Sequence, residues 1–387
     1  MTLSLPVVEL DAATEKLRAD VRDFLSDALK REKFVPGCDS WLAGWDPSFS
    51  SELASRGWIG MAIPQKYGGS GRGSLERYVV IEELLAAGAP IAAHWIADRQ
   101  IAPALLRYGT EHQKLRYLPK IASAEMFFAL GMSEADAGSD LAAIRTKATK
   151  VDGGWCISGA KLWTSGGHNA HAMVVLARTS PLNTQARHDG LSQFIVDLPA
   201  PAITINPILL MSGEHHFNEV VVDDAFVSDE AVLGTIGDGW QQVTAELAYE
   251  RSGPERLLST FPLLAAMYRR LGEKKSVASE AELVALGALL SRARSLREIS
   301  LSIAGALQRG EVPEVGAAVA KDLGTRFEQD VVDTALRYLD GIRADPDSSE
   351  ELERLLARAA FHAPGFTLRG GTNEILRGVI ARGLELR

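Results

Sequence analysis

Between Trp155 and Val222 the chain changes its hydrophobic period, and that change limits what it can fold into. Trp155-Cys156-Ile157-Ser158, Ala172-Met173-Val174-Val175-Leu176, Ser192 to Leu198, Ile203-Thr204-Ile205 and Val220-Val221-Val222 are short β-prone runs. Gly, Pro and Asn separate them at regular intervals, as in a small sheet or barrel. On both sides the apolar residues return to helical spacing. Leu10, Ala13, Leu17, Val21, Phe24, Leu25 and Ala28 describe an amphipathic first helix, broken near Pro36–Gly37. Residues 38–50 read as loop with exposed Trp41 and Trp45, and Ser50 to Arg56 as a short helix stopped at Gly57. Helices are expected at 74–88, at 91–107 with a bend at Pro103, and from Glu111 to Ser123. After the β segment, long helical runs cover 238–270, 279–309 and 313–340. Ser348 with Glu351 is a candidate capping box for a helix ending near Phe361, and a last helix spans 373–383. The expected order is helix, β, helix.

A chain of 387 residues is long for one core, so two or three layers or domains are expected. A net charge of −9 without a basic tract argues against nucleic acid as partner. No apolar run approaches the roughly 20 residues of a membrane helix. The first ten residues lack a basic region with a cleavage site. Cys38 and Cys156 have no metal or redox spacing, so both are expected as unpaired thiols in a reducing cytoplasm.

Two stretches carry the chemistry. Leu130 to Leu141 reads L-G-M-S-E-A-D-A-G-S-D-L, and Gly159 to Gly167 reads G-A-K-L-W-T-S-G-G. Small residues crowd the first, which lets backbone amides approach an anion and form a nest; Ser139 adds a hydroxyl. The second sets the plane of Trp163 beside two hydroxyls and two glycines, which suits a flat polar ring. A pyrophosphate and a flat polar ring together describe a flavin dinucleotide.

These two segments closely resemble the flavin-binding segments of the acyl-CoA dehydrogenase family. Residues 108–125 (Y-G-T-E-H-Q-K-L-R-Y-L-P-K-I-A-S-A-E), 57–71, 217–227 and 369–382 resemble further family segments, in the family's order, from about residue 10 to the end. The resemblance implies an α+β fold: an N-terminal helical domain (1–125), a middle β-barrel domain (126–236) and a C-terminal helical bundle (237–387). It also implies FAD, held by Leu130, Met132, Ser133, Gly138, Ser139, Trp163, Thr164 and Ser165, with Thr372 and Glu374.

The activity implied is α,β-dehydrogenation of an acyl-CoA thioester, with a carboxylate taking the α-proton and the flavin N5 taking the β-hydride. Such a base needs a pKa raised toward neutrality, and the thioester oxygen needs donors for its developing charge. Many family members carry the base just before the Gly-Thr that leads into the last helix. Here Gly370 stands there, in Arg369-Gly370-Gly371-Thr372. It cannot be a base, but the resemblance assigns its backbone N–H to the thioester oxygen. A second group in the family takes the base from the first long C-terminal helix. Glu250, followed by Arg251 as a substrate-binding residue, fits that pattern; Glu246, one turn away, is the runner-up. His215-His216 reads as structural or surface.

The sequence departs from the family on the adenine side of the flavin. Residues 267–276 carry Tyr268 and Leu271 where Arg and Phe are expected, and 335–344 lack a Gln-x-x-Gly-Gly element. Both elements normally reach a flavin bound mainly to a neighbouring subunit. An oligomer is therefore expected, with a heterotetramer containing a paralogous subunit as the simplest account and a homo-oligomer with other adenine contacts as the rival. The acceptor implied is an electron-transfer flavoprotein or a similar carrier. The acyl group expected is branched or bulky, such as a sterol side chain. A non-catalytic subunit and a flavin oxidase or monooxygenase on the same fold are the alternatives.

Overall fold

Asp11 opens the first helix, α1 (Ala12–Lys30), by accepting a hydrogen bond from the Thr14 amide at 2.7 Å. The computed structural model describes residues 5–250, 253–273, 279–311, 313–338 and 350–386; the side chains of residues 246–250 and 272–273 lie outside that description. The described helices in the first third are α1, α2 (Ser40–Ala43), α3 (Pro47–Ser55), α4 (Ser74–Ala86), α5 (Ala92–Ile96), α6 (Ala102–Tyr108) and α7 (Glu111–Ala122). They are followed by eight strands and then by helices α8 (Gly239–Glu250), α9 (Phe261–Glu273), α10 (Glu280–Gln308), α11 (Glu314–Arg337), Glu350–Phe366 and Asn373–Gly383. The chain therefore has N-terminal helices, a middle β segment and a C-terminal helical bundle.

Two compact units result. One comprises Asp46–Arg72 and Ala92–Leu247. Its centre is a single eight-stranded sheet of β1 (Phe128–Gly131), β2 (Lys147–Val151), β3 (Gly154–Ser165), β4 (Ala172–Arg178), β5 (Leu191–Asp197), β6 (Ile203–Leu209), β7 (His215–Ser228) and β8 (Val232–Leu233). The strand order is β6-β7-β3-β2-β4-β5-β8, with β1 added parallel to β4. Strand β4 is buried at all seven positions, as a strand covered on both faces requires. On one side Phe128, Val174 and Ile195 pack with Leu105, Leu118 and Ile121 of α6 and α7. On the other, Trp155, Ile157, Phe194, Val220 and Val222 form the interior of the β segment. Gln113 of α7 fastens the β-segment edge by donating to the Glu230 and Val232 carbonyls at 2.8 and 2.9 Å.

The other unit comprises Met1–Trp45, Gly73–Ile91 and Ala248–Arg387. Glu82 and Glu83 of α4 are buried acids in an ionic lattice: Arg18 of α1 reaches Glu82 at 3.1 Å, Arg22 reaches Glu83 at 2.8 Å, and Arg297 of α10 reaches Glu82 at 2.6 Å. Buried carboxylates persist only when paired in this way.

Five sequence expectations are corrected here. Trp41 is buried, because its indole Nε1 donates to Ser259 Oγ at 3.1 Å and two guanidinium groups lie over its rings; Trp45 is half-buried. The loop expected at 38–50 contains α2, and Pro47 opens α3 earlier than Ser50. The bend at Pro103 is a π-helical turn, Ala97–Ile101, joining α5 to α6, which places the proline in the first turn of α6 where its missing N–H costs nothing. The run 238–270 is divided, since Pro254 opens a separate 3₁₀ turn (Pro254–Arg256) before α9. The helix expected to end near Phe361 continues to Phe366; its proposed capping residue Ser348 lies outside the described residues. Strands β1, β2 and β8 escaped the sequence reading: β8 is only Val232–Leu233, β1 is four residues of mixed size, and β2 sets lysines among small residues in place of an apolar run. Among the described residues no helix is long and apolar enough to cross a membrane.

Candidate active site

The two flavin-like stretches meet through the sheet. β1 runs parallel to β4 and delivers Leu130, half-buried, at its end. The chain then turns at Glu134–Ala137, whose amides and carbonyls bond each other at 3.1 Å. The Leu162 amide, on β3, donates to the Ser133 carbonyl at 2.9 Å and so ties the turn to the strand carrying Trp163. Met132 and Ser133 are half-buried, and Gly138 and Ser139 are exposed. A Cβ built on Gly138 would meet nothing within 4 Å, so the turn has open space beside its backbone.

A charged pair fastens the same junction. Lys161 of β3 is fully buried and its Nζ donates to Glu134 Oε1 at 2.9 Å and to the Met132 carbonyl at 3.1 Å. Glu134 also accepts from the Arg145 and Thr146 amides at 2.6 and 2.9 Å. Burial lowers the Lys161 ammonium to about 8, with Glu134 opposing that fall. Burial also pushes the Glu134 carboxyl upward, but Lys161, Thr146 and the Arg145 amide outweigh it and hold the group below its ordinary value.

β3 carries a bulge between Lys161 and Thr164 in its pairing with β7. At that bulge Trp163 takes φ 62°, a left-handed conformation that bulky residues rarely adopt. The result is a tryptophan 53% exposed, its ring edge-on to Phe217 at 5.8 Å between centroids. A large aromatic side chain turned out of a sheet at backbone cost points to a surface it serves. Thr164 behaves oppositely: it is fully buried, and its Oγ1 has no hydrogen-bond partner among the described residues. Ser165 is half-buried. The hydroxyl of Ser165 is thus the more open of the two that the sequence singled out.

Asn218 of β7 supports this strand end. Its Nδ2 donates to the Thr164 carbonyl at 2.9 Å and approaches His168 Nδ1 at 3.1 Å, while its Oδ1 lies 2.8 Å from His215 Nε2. His168 and His215 stack with centroids 3.8 Å apart. Burial, with His215 alongside, lowers the His168 pKa. His215 is thus tied to the end of β3 through Asn218, a residue that sequence reasoning missed. Its signal was a polar residue at the start of an apolar run in F-N-E-V-V-V.

In the other unit, Arg369 to Thr372 forms the lead-in to the last helix. Gly370 and Gly371 have φ 68° and 89°, which excludes most side chains there. Thr372 caps the helix by accepting from the Ile375 amide at 3.4 Å, and Glu374 is exposed in its first turn. Lys321, fully buried, donates to the Gly371 carbonyl at 2.7 Å and to Asn373 Oδ1 at 2.8 Å. Glu246 lies in α8 and Glu250 ends it. Their side chains, and Arg251 entirely, lie outside the described residues. Tyr268, where the resemblance expects Arg, is 57% exposed.

The first unit fits a flavin dinucleotide. It presents an exposed indole on a strained bulge, a half-buried hydroxyl next to it, and an open glycine-serine turn. Among the described residues the Ser133, Ser139 and Ser165 hydroxyls make no hydrogen bond.

Known proteins are similar to this chain over nearly its whole length. Residues 11–125 match the family described as Acyl-CoA dehydrogenase, N-terminal domain; residues 129–225 match the middle domain, and residues 237–385 the C-terminal domain. Acyl-CoA dehydrogenase IpdE1 of Mycobacterium tuberculosis is 31% identical over 382 residues, covering 95% of this chain and 96% of IpdE1. Acyl-CoA dehydrogenase FadE34 of the same organism is 32% identical over 335 residues, 86% of this chain; the match spans 45% of FadE34, less than half its length. Among solved structures, the Tcur3481-Tcur3483 steroid ACAD superposes with a TM-score of 0.86 at 26% identity, covering 98% of this chain and 99% of that one.

Proposed function

The chain belongs to the acyl-CoA dehydrogenase family of FAD-dependent oxidoreductases, and from that premise we propose that it catalyses α,β-dehydrogenation of an acyl-CoA thioester. The observation that carries the proposal is Trp163, exposed on a bulge that the Lys161–Glu134 pair holds against the glycine-serine turn. Bound FAD supplies the hydride acceptor. This chain's own residues do the rest. Leu130, Met132, Ser133, Gly138 and Ser139 cradle the cofactor, Trp163 covers its ring, and Ser165 in preference to Thr164 donates to the ring edge. Thr372 and Glu374 add contacts at the start of the last helix. Glu250, with Glu246 as runner-up, takes the α-proton; the Gly370 amide faces the thioester oxygen, and Arg251 binds substrate. In this reading the domains are residues 1–125, 126–236 and 237–387, and the middle one supplies most of the flavin contacts. A base on the helix leaves room beside Gly370–Gly371, which suits a branched or sterol-bearing acyl group.

The test is the visible spectrum of the purified protein, followed by anaerobic addition of butyryl-, isovaleryl- and cholyl-CoA. Bleaching of a bound flavin is expected, with the bulkiest thioester best. A flavin-bearing protein bleached by none of these would overturn the dehydrogenase reading. Oxygen uptake in step with turnover would favour an oxidase.

The exposed Tyr268 supports a second element of the proposal, a heteromer. Without the family's Arg at that place, two identical chains leave the adenine end of FAD short of donors. Each missing charge-assisted hydrogen bond is worth about 1.5–3 kcal/mol. The chain expressed alone is expected to be mostly flavin-free, and co-expression with a paralogue to restore FAD at less than one per chain. A homo-oligomer holding one FAD per subunit, by mass and flavin quantitation, would sink the heteromer and leave the chemistry standing.

A further inference from the structure

We propose that Asp39 is a positioning residue for the Gly370–Thr372 turn, acting through Arg369. The inference rests on the reading above in one respect, that this turn faces the acyl thioester. Asp39 is 330 residues from Arg369 in sequence, yet its carboxylate takes both guanidinium arms: Nη1 donates to Oδ2 at 2.7 Å and Nη2 to Oδ1 at 2.6 Å. His362 Nδ1 lies 2.9 Å from Oδ2. The carboxylate is wholly buried, and Arg369 and His362 hold its pKa well below the carboxylate range against the opposing effect of burial.

Both partners are fixed by their surroundings. The Arg369 guanidinium lies over Trp41 at 4.3 Å and Phe366 at 5.1 Å. The Asp39 amide donates to the Ser259 carbonyl at 2.7 Å, and its backbone adopts φ 55°. Aspartate is among the few non-glycine residues that tolerate that conformation, but burying an ion pair seldom stabilises more than an apolar pair of the same shape. Stability alone therefore does not account for the arrangement. What the pair does accomplish is geometric. Gly370 and Gly371 would otherwise be the loosest backbone in the helix lead-in. Arg369 pins the turn from its N-terminal side, and Lys321 pins it from the other through the Gly371 carbonyl and Asn373. A donor meant for a developing oxyanion must be held within about 0.5 Å of its working place.

The experiment compares wild type with Arg369→Lys, Asp39→Asn and the double variant Asp39→Asn/Arg369→Gln, each purified with FAD in its native assembly. The measurements are melting temperature, FAD content, amide hydrogen exchange over residues 367–376, and the flavin-reduction rate at saturating butyryl-, isovaleryl- or cholyl-CoA. Asp39→Asn leaves the half-buried Arg369 cation without its counter-charge and is expected to lower the melting temperature. The double variant removes both charges and is expected to recover it. Positioning predicts that the double variant and Arg369→Lys keep their FAD, exchange the 370–373 amides at least tenfold faster than wild type, and reduce flavin at least tenfold more slowly. Wild-type exchange at the turn in the double variant overturns the proposal, and so do rate losses that follow melting temperature across the series. The activity reading fails separately, if no acyl-CoA bleaches the wild-type flavin; the exchange measurement still decides the role of Asp39.

Discussion

Lys161 and Glu134 form an ion pair at 2.9 Å in which the lysine is fully buried and the glutamate nearly so. It joins the two halves of the cofactor segment, from strand β3 to the turn after β1. Removing one partner leaves an uncompensated buried charge, which is the costly way to break such a pair. Glu134→Gln is expected to destabilise the protein by about 3 kcal/mol and to loosen FAD. Glu134→Gln combined with Lys161→Met should restore much of the stability. Urea unfolding of the single and double variants checks this; a fully stable Glu134→Gln would remove the pair from the account.

Trp163 should matter to the cofactor and not to the fold, because more than half of it is outside the core. Trp163→Ala is expected to weaken FAD retention with little change in the unfolding midpoint. Ser165→Ala should do so more mildly. Thr164→Val should be neutral, since that hydroxyl is buried without a partner among the described residues. Equilibrium dialysis of FAD, with melting curves in parallel, distinguishes the three. A Thr164→Val loss exceeding that of Ser165→Ala would reverse the order of the two hydroxyls.

The base can be assigned by kinetics. Glu250→Gln is nearly isosteric and cannot accept a proton. It is expected to keep FAD and acyl-CoA binding while losing ~100-fold or more in flavin reduction, the lower range for removal of a general base. Full activity in Glu250→Gln together with loss in Glu246→Gln would move the role by one turn of α8.

Glu328 of α11 gives a pH signature. It is fully buried, accepts from the Ser259 amide at 2.7 Å, and has Arg369 and Asp39 nearby. Burial raises its pKa from 4.5 to about 7, with Arg369 and Ser259 opposing and Asp39 assisting. Between those two values the folded chain holds a proton that the unfolded chain has released, so this group's contribution to stability falls as pH rises through that window. Glu328→Gln keeps the acceptor for Ser259 and removes the titration. Relative to wild type, it should gain on the order of 3 kcal/mol between pH 5 and pH 8. Denaturant unfolding at both values tests it; equal wild-type and variant slopes would refute the shift.

The sequence by itself determined the succession of helices, β segment and helices, because period depends on near neighbours and survives without tertiary contacts. It determined the family for a similar reason: the motifs at 130–141 and 159–167 are continuous stretches whose residue types follow the cofactor's chemistry. Tertiary structure decided the remainder. Which of Thr164 and Ser165 points outward depends on the bulge at Trp163, and a bulge is set by pairing with β7, some fifty residues later. Trp41, read as exposed in a loop, is buried because Ser259 and Arg369, both remote in sequence, converge on it. Asp39 showed no sign of function in a stretch that reads as loop. Its role exists only where folding brings a carboxylate from one end of the chain to a guanidinium and an imidazole near the other, and no local pattern encodes that meeting.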